Sequence, residues 1–295
     1  MAPYVSLTSQ RELILDLPAI ETQRAIAHIL GTLDDKIELN RRMNQTLEEI
    51  ARALFKSWFV DFDPVHAKAA GRQPVGMDTE TAALFPSEFE ESELGPIPKG
   101  WQVQPLDNIA DFLNGLALQK YPPDSENWLP AIKIAQLKKG STEGADKVGA
   151  NIPEAYVVED GDMLFSWSGS LELTIWSGGT GALNQHLFKV TSDWYPQWFV
   201  YFWIQWHLPM FREIAADKAT TMGHIQRRHL TEALTAVPKI DKLIARVDQT
   251  VGALFSRAKI GVLEANLLTR SRDSLLPRLI SGAIRVGKFV DEEDY

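Results

Sequence analysis

The sequence holds no cysteine, so disulfide frameworks and thiolate chemistry are excluded. It has no run of about eighteen apolar residues that could span a membrane. Residues 1–11 lack the apolar core of a signal peptide, and the expected location is the cytoplasm. No glycine-rich loop ends in Gly-Lys-Ser/Thr, which removes the usual phosphate cradle; Gly179-Thr180-Gly181 reads as a short turn. An Asn-Pro-Pro-aromatic run, of the kind that serves base methylation, is also missing. The 6 histidines are scattered, and His224 and His229 have no carboxylate pattern between them, so no metal site is expected. Ser168-Gly169-Ser170 lacks the flanking glycines of a nucleophile elbow. The sequence implies no catalytic constellation, no cofactor and no metal.

Charge is present but unevenly placed. The formal net charge is −9. Residues 61–94 hold 2 basic and 8 acidic side chains, residues 95–238 hold 11 and 15, and residues 239–290 hold 10 and 4. An acidic connector and an acidic tail account for the deficit. Phosphate attraction depends on local patches rather than totals, so a nucleic-acid partner is neither supported nor excluded.

Between residues 20 and 58, apolar or small residues recur at alternating steps of four and three: Ile26, Leu30, Leu33, Ile37, Leu47, Ala51, Leu54 and Trp58. Asn40 and Asn44 fill the middle positions. This 3.5-residue period predicts a helix whose narrow seam faces a partner helix. At about 1.5 Å per residue the rod is about 58 Å long, too long to bury its seam on one small core. The pattern returns after Pro238 in Ile240, Ile244, Val247, Val251, Leu254, Ala258, Gly261, Ala265, Leu268, Leu275 and Leu279, with Arg272 interrupting. Leu17-Pro18-Ala19-Ile20 and Val237-Pro238-Lys239-Ile240 resemble each other and predict a proline in each first turn, with Asp16 as an N-cap. The repeat predicts that the two helices pair antiparallel within the chain. Ala258, Gly261 and Ala265 permit close approach. Asn40 and Asn44 either lie buried and fix register or face water at a helix crossing.

Residues 1–17 read as a remnant or lead-in segment, and residues 18–60 as the first long helix, closed by Pro64. Residues 61–94 read as an irregular acidic connector. From residue 95, short apolar stretches alternate with glycine and proline: Ala131-Ile132-Lys133-Ile134, Tyr156-Val157-Val158, Gly161-Asp162-Met163-Leu164-Phe165-Ser166 and His186-Leu187-Phe188-Lys189-Val190. They predict strands of a curled mixed sheet. Residues 196–214 are strand-like in composition yet long enough for a helix, and are read as a helix packed on the sheet. Residues 95–237 then form one globular domain, residues 238–276 the second long helix and residues 277–295 a tail. The expected class is α+β, with one mixed-sheet domain flanked by two long helices in an antiparallel coiled coil.

Several stretches resemble, in order and spacing, the DNA-specificity subunits of type I restriction–modification enzymes. Leu17-Pro18, Glu21-Thr22-Gln23 and Trp58-Phe59-Val60-Asp61-Phe62 resemble the family's conserved helical region. Leu94-Gly95-Pro96-Ile97-Pro98-Lys99-Gly100-Trp101 resembles the opening of a target recognition domain. Gly161-Asp162-Met163-Leu164, Leu183-Asn184-Gln185-His186-Leu187 and Met222-Gly223-His224-Ile225 resemble signposts inside such domains. Leu276-Pro277-Arg278-Leu279-Ile280-Ser281-Gly282 resembles the C-terminal helix end. The resemblance covers most of residues 17–286.

That resemblance implies a non-catalytic subunit, without cofactor, that reads a half-site in double-stranded DNA and positions methyltransferase and restriction subunits there. The chain departs from the family pattern in having one recognition domain bounded by both helices, and residues 1–16 resemble the last turn of a missing first domain. A half-type subunit, a gene truncation and an engineered piece all fit, and a homodimer is expected. The competing readings are a coiled-coil interaction scaffold without DNA specificity and an enzyme with an unrecognised site in residues 95–237. The candidate DNA contacts are Lys120, Tyr121, Lys138, Lys139, Ser141, Trp167, Ser168, Ser170, Asn184, Gln185, His186, Thr220, Thr221, His224 and Arg227. Cations would hold phosphates, while amides and hydroxyls reach base edges. Any one lysine equally suits a solvated surface, and Trp167 and Asn184-Gln185-His186 equally suit a buried structural role.

Overall fold

A computed structural model describes residues 6–11, 17–124, 126–217, 223–239 and 241–286. Calls that fall on Asp16, Thr220, Thr221, Met222 and Ile240 lie outside the described residues. The chain forms two compact units, one from the residues up to Asn40 with those from Glu264 onward, the other from residues 41–263.

The first unit contains a short helix, Leu7–Arg11, and parts of the two long helices, Ile20–Phe55 and Ala253–Ile280. Seam positions expected from the 3.5-residue period are buried: Ile26, Ile37, Ala265 and Leu279 are withdrawn from solvent, as is Ala25 beside them in sequence. Arg272, which interrupts the apolar repeat, donates from Nη1 to Asp34 Oδ1 at 2.6 Å, and Lys36 lies 3.7 Å from Glu264. Residue number rises along one helix as it falls along the other, so the two run antiparallel. Asn40 is 0% exposed, which decides against a water-facing position; its side-chain atoms have no hydrogen-bond partner among the described residues. A buried polar residue of this kind costs stability and disfavours every register that would misplace it.

The second unit starts with the rest of this seam. Asn44 is buried against Gly261, where a Cβ would stand 2.1 Å from Asn44 Oδ1, so only glycine admits this approach. Each helical region is then broken by a π-helical turn, Lys56–Val60 in the first and Asp248–Gly252, after helix Asp241–Val247, in the second. A heptad pattern carries no signal for such a turn. Within the second of these turns, Asp248 Oδ1 accepts from the indole of Trp198 at 2.7 Å.

Three local expectations are corrected. Pro238 closes a strand opposite Trp101 instead of opening a helix, and Pro277 lies inside the second long helix, which runs on to Ile280. A proline so near a helix end removes only one ladder bond. The connector is not irregular: it holds helices Asp63–Ala69 and Thr79–Leu84 and a strand. Phe62, at φ 55°, breaks the first helical region, and Pro64 then sits in the first turn of the next helix.

The strands among the described residues are, in chain order, β1 (Phe89–Ser92), β2 (Gly95–Pro98), β3 (Trp101–Pro105), β4 (Asp111–Asn114), β5 (Trp128–Ile132), β6 (Lys147–Gly149), β7 (Val157–Val158), β8 (Met163–Ser166), β9 (Leu173–Ile175), β10 (Gly181–Leu183), β11 (Leu187–Thr191) and β12 (Leu234–Pro238). They form a hairpin, β1-β2, a second two-stranded sheet that pairs β3 with the distant β12, and two four-stranded sheets, β6-β5-β10-β7 and β4-β11-β8-β9. Every pair is antiparallel except β5 with β10, which makes the sheet system mixed as expected. Helix Gln197–Asp217 takes the aromatic stretch and buries Trp198 through Ile204 almost without interruption, the pattern of a core helix. Phe59 meets Phe199 at 5.2 Å and Phe55 meets Phe202 at 5.4 Å between ring centroids. These aromatic contacts anchor the sheets to the helices within this unit.

Candidate nucleic-acid interface

Four segments of the chain meet at a cleft of about 640 Å³, lined by residues 118–119, 121–123, 131, 133–135, 146–148 and 184–186. Leu118, Ala131, Val148 and Ala182 pack as one cluster beneath it. The loop after Leu118 is seated directly on β6. Gly149 N donates to Tyr121 O at 2.9 Å, and a Cβ at Gly149 would come within 2.7 Å of Pro122 O. The opposite wall is the turn Asn184-Gln185-His186. Its backbone is fixed by Gln185 N donating to Leu116 O at 2.9 Å and Leu187 N donating to Asn184 O at 3.0 Å. Asn184 is buried, donates to Gln185 Oε1 at 2.9 Å and accepts from His186 N at 3.3 Å.

The candidate contacts fall into three places. Tyr121, Asn184, Gln185 and His186 line the cleft, with exposed Lys120 next to it. Trp167, Ser168, His224 and Arg227 sit around the adjoining end of β8, where internal partners engage them. Trp167 Nε1 donates to Asn114 Oδ1 at 2.9 Å and to Gln185 O at 3.0 Å. Ser168 is 3% exposed, shares a 2.9 Å hydrogen bond with His186 Nδ1, and bridges His224 through the backbone. Arg227 donates to Phe112 O at 2.9 Å with its guanidinium 5.6 Å from the Phe188 ring centre. The third group gathers at the end of helix Ile134–Lys139. Lys138 donates to Ser170 Oγ at 2.7 Å, Lys139 pairs with Glu143 at 2.6 Å, and Ser141 Oγ accepts from Glu143 N at 3.1 Å. Ser170 also lines a smaller cleft of about 390 Å³ with Arg212 and Gly223.

Sequence reasoning missed Trp128, Lys133, Asp146 and Lys147. Lys133 ion-pairs with Asp146 Oδ2, and that hydrogen bond, aided by the ammonium charge, holds the Asp146 carboxyl below the usual carboxylate range. The Lys147 ammonium lies 4.1 Å from the Trp128 ring centre. The register of β5 with β6, Pro130 opposite Lys147, brings these groups together across a long loop. Only that pairing, invisible in linear spacing, could have found them.

The Ser168–His186 pair has the spacing of a nucleophile and base. Ser168 is nevertheless buried, and among the described residues no carboxylate is hydrogen-bonded to His186 to orient it. No cluster of His, Asp and Glu among the described residues could hold a metal ion, and no described helix is long and apolar enough to cross a membrane.

The structure is a sheet module with a lysine-rimmed cleft, inserted in sequence between two long antiparallel helices. No protein-family model matches the chain. It is 28% identical to the specificity subunit of the type I restriction enzyme HindI of Haemophilus influenzae, over 96% of this chain and 71% of that protein. It is 25% identical to the MjaIX specificity subunit of Methanocaldococcus jannaschii, over 96% of this chain and 63% of that one. The solved S subunit of a type I restriction–modification system from M. genitalium shares the fold, with a TM-score of 0.51 at 13% identity, over 88% of this chain and 61% of that one. Over 96% of its length the chain is thus similar to type I specificity subunits.

Proposed function

We propose that the chain is the sequence-reading subunit of a type I restriction–modification system. Residues 95–237 act as the target recognition domain and read one half-site of double-stranded DNA. The long helices hold the methyltransferase and restriction subunits in place. The chain carries out no bond chemistry itself in this reading, needs no cofactor and works in the cytoplasm.

The observation that carries the reading is the cleft. Amide, imidazole and phenol groups suited to base edges line it, and lysines suited to phosphates stand at its rim. Near-full-length similarity to specificity subunits supports the same assignment. The test is retention of one defined duplex by the chain, with methyltransferase subunits added, against excess random competitor DNA. Methylation mapping of the assembled enzyme then identifies the site. Binding of methyltransferase without any sequence preference would leave only the scaffold.

A further inference from the structure

We propose that Asp146 is a specificity-determining residue, whose carboxylate accepts a hydrogen bond from the exocyclic amino group of an adenine or cytosine while Lys120 and Lys147 hold the flanking phosphates. This rests on the DNA-reading function proposed above.

A carboxylate in a surface that meets a polyanion is repulsive unless it serves a particular contact. Asp146 lines the cleft and is built into it. Its backbone carbonyl accepts from Ala131 N at 2.8 Å, and Lys133 binds its Oδ2. The Lys133 ammonium offsets the charge of the pair and leaves Oδ1 with its lone pairs open. An ionised carboxylate only accepts hydrogen bonds. In the major groove, adenine N6 and cytosine N4 offer donors, whereas guanine and thymine offer acceptor atoms that this group repels. A requirement for an amino-bearing base at one position follows.

The lysines divide by what already engages them. Lys139 is paired with Glu143, Lys189 with Asp162, Lys133 with Asp146, and Lys138 donates to Ser170. The Lys120 ammonium has no hydrogen-bond or ion-pair partner among the described residues, and the Lys147 ammonium rests on the Trp128 ring instead of a carboxylate. These two keep an uncompensated charge at the rim of the same cleft. The phosphate contacts therefore shift from the Lys138–Lys139 cluster to Lys120 and Lys147.

The experiment selects duplexes from a randomised library with the full chain assembled with its methyltransferase subunits, comparing wild type, Asp146→Ala and Lys147→Gln. Wild type is expected to require adenine or cytosine at one position, and Asp146→Ala, which has no acceptor, to lose roughly ten-fold of that discrimination there while other positions hold. Lys147→Gln should weaken all sequences alike and reduce the salt slope by about one. A second control changes the base. Replacing it at that position by purine or 2-pyrimidinone, which lack the amino group, should cost wild type the same factor and leave Asp146→Ala indifferent. Selections that Asp146→Ala leaves unchanged, an even loss of affinity across all positions, or a wild type indifferent to every amino-group deletion would each overturn the assignment. Wild-type chain that selects no sequence at all would overturn the DNA-reading function beneath it.

Discussion

His207 is a half-buried imidazole whose titration the fold controls. It stacks on Trp203 at 6.1 Å and donates from Nε2 to Leu234 O at 3.0 Å. Burial pushes its pKa down to about 4, against a smaller upward effect of that carbonyl. The unfolded chain therefore binds the proton more readily between the usual histidine value and about 4. Stability from this group is fully present above about pH 6.5 and is lost as pH falls toward 4, by about 3 kcal/mol at most. Urea unfolding between pH 7.5 and 4 should show this slope, and His207→Gln should flatten it; an equal slope in both proteins would mean that other groups carry the dependence. Residues of this kind show where sequence reading stops. Helix-seam positions such as Ile37 and Val251 were legible because periodicity states which face is buried. Asp146, Lys147 and Trp128 were not, because a strand register brings them together. Trp167 and Arg227, chosen for their chemistry, also donate to neighbouring backbone carbonyls, which no linear pattern announces.

Among the elements, the long helices were the most legible, since a 3.5-residue repeat has few structural solutions. The interruptions were not: the π turn at Asp248–Gly252 lies where Asp248 meets Trp198, a contact separated by 50 positions that no local repeat reports. The acidic strand β1 escaped for a related reason, because its pairing with β2 supplies the order that Phe89-Glu90-Glu91-Ser92 does not announce. The seam gives a graded prediction. Val251 is 0% exposed, so Val251→Asp places an unpaired charge in the core and should cost about 3–5 kcal/mol. Leu33 is only half-buried, and Leu33→Asp should cost distinctly less. Thermal melts of the two variants test the order. Equal melting temperatures would show that the seam is not graded in this way.

For the whole molecule, the open quantity is how many recognition domains act together. The chain places one sheet-bearing module between two long helices, and a single module reads one stretch of duplex. Leu39 and Ile50 on the first long helix, and Ile260 and Leu267 on the second, remain exposed despite being large and apolar. Such side chains favour association, and two identical chains most simply close about a two-fold axis, each using the same surface. The expectation is a dimer of the 33.1 kDa chain. Symmetry then dictates the target: two copies of one half-site, inverted about the centre, at a fixed separation. Mass measurement of the purified chain, followed by methylation mapping with methyltransferase subunits added, tests both parts. A dimer that directs methylation to an inverted repeat is the expected result. A strictly monomeric chain that directs methylation to an asymmetric two-part site would defeat the prediction, because one recognition module would then have to read two unlike sequences.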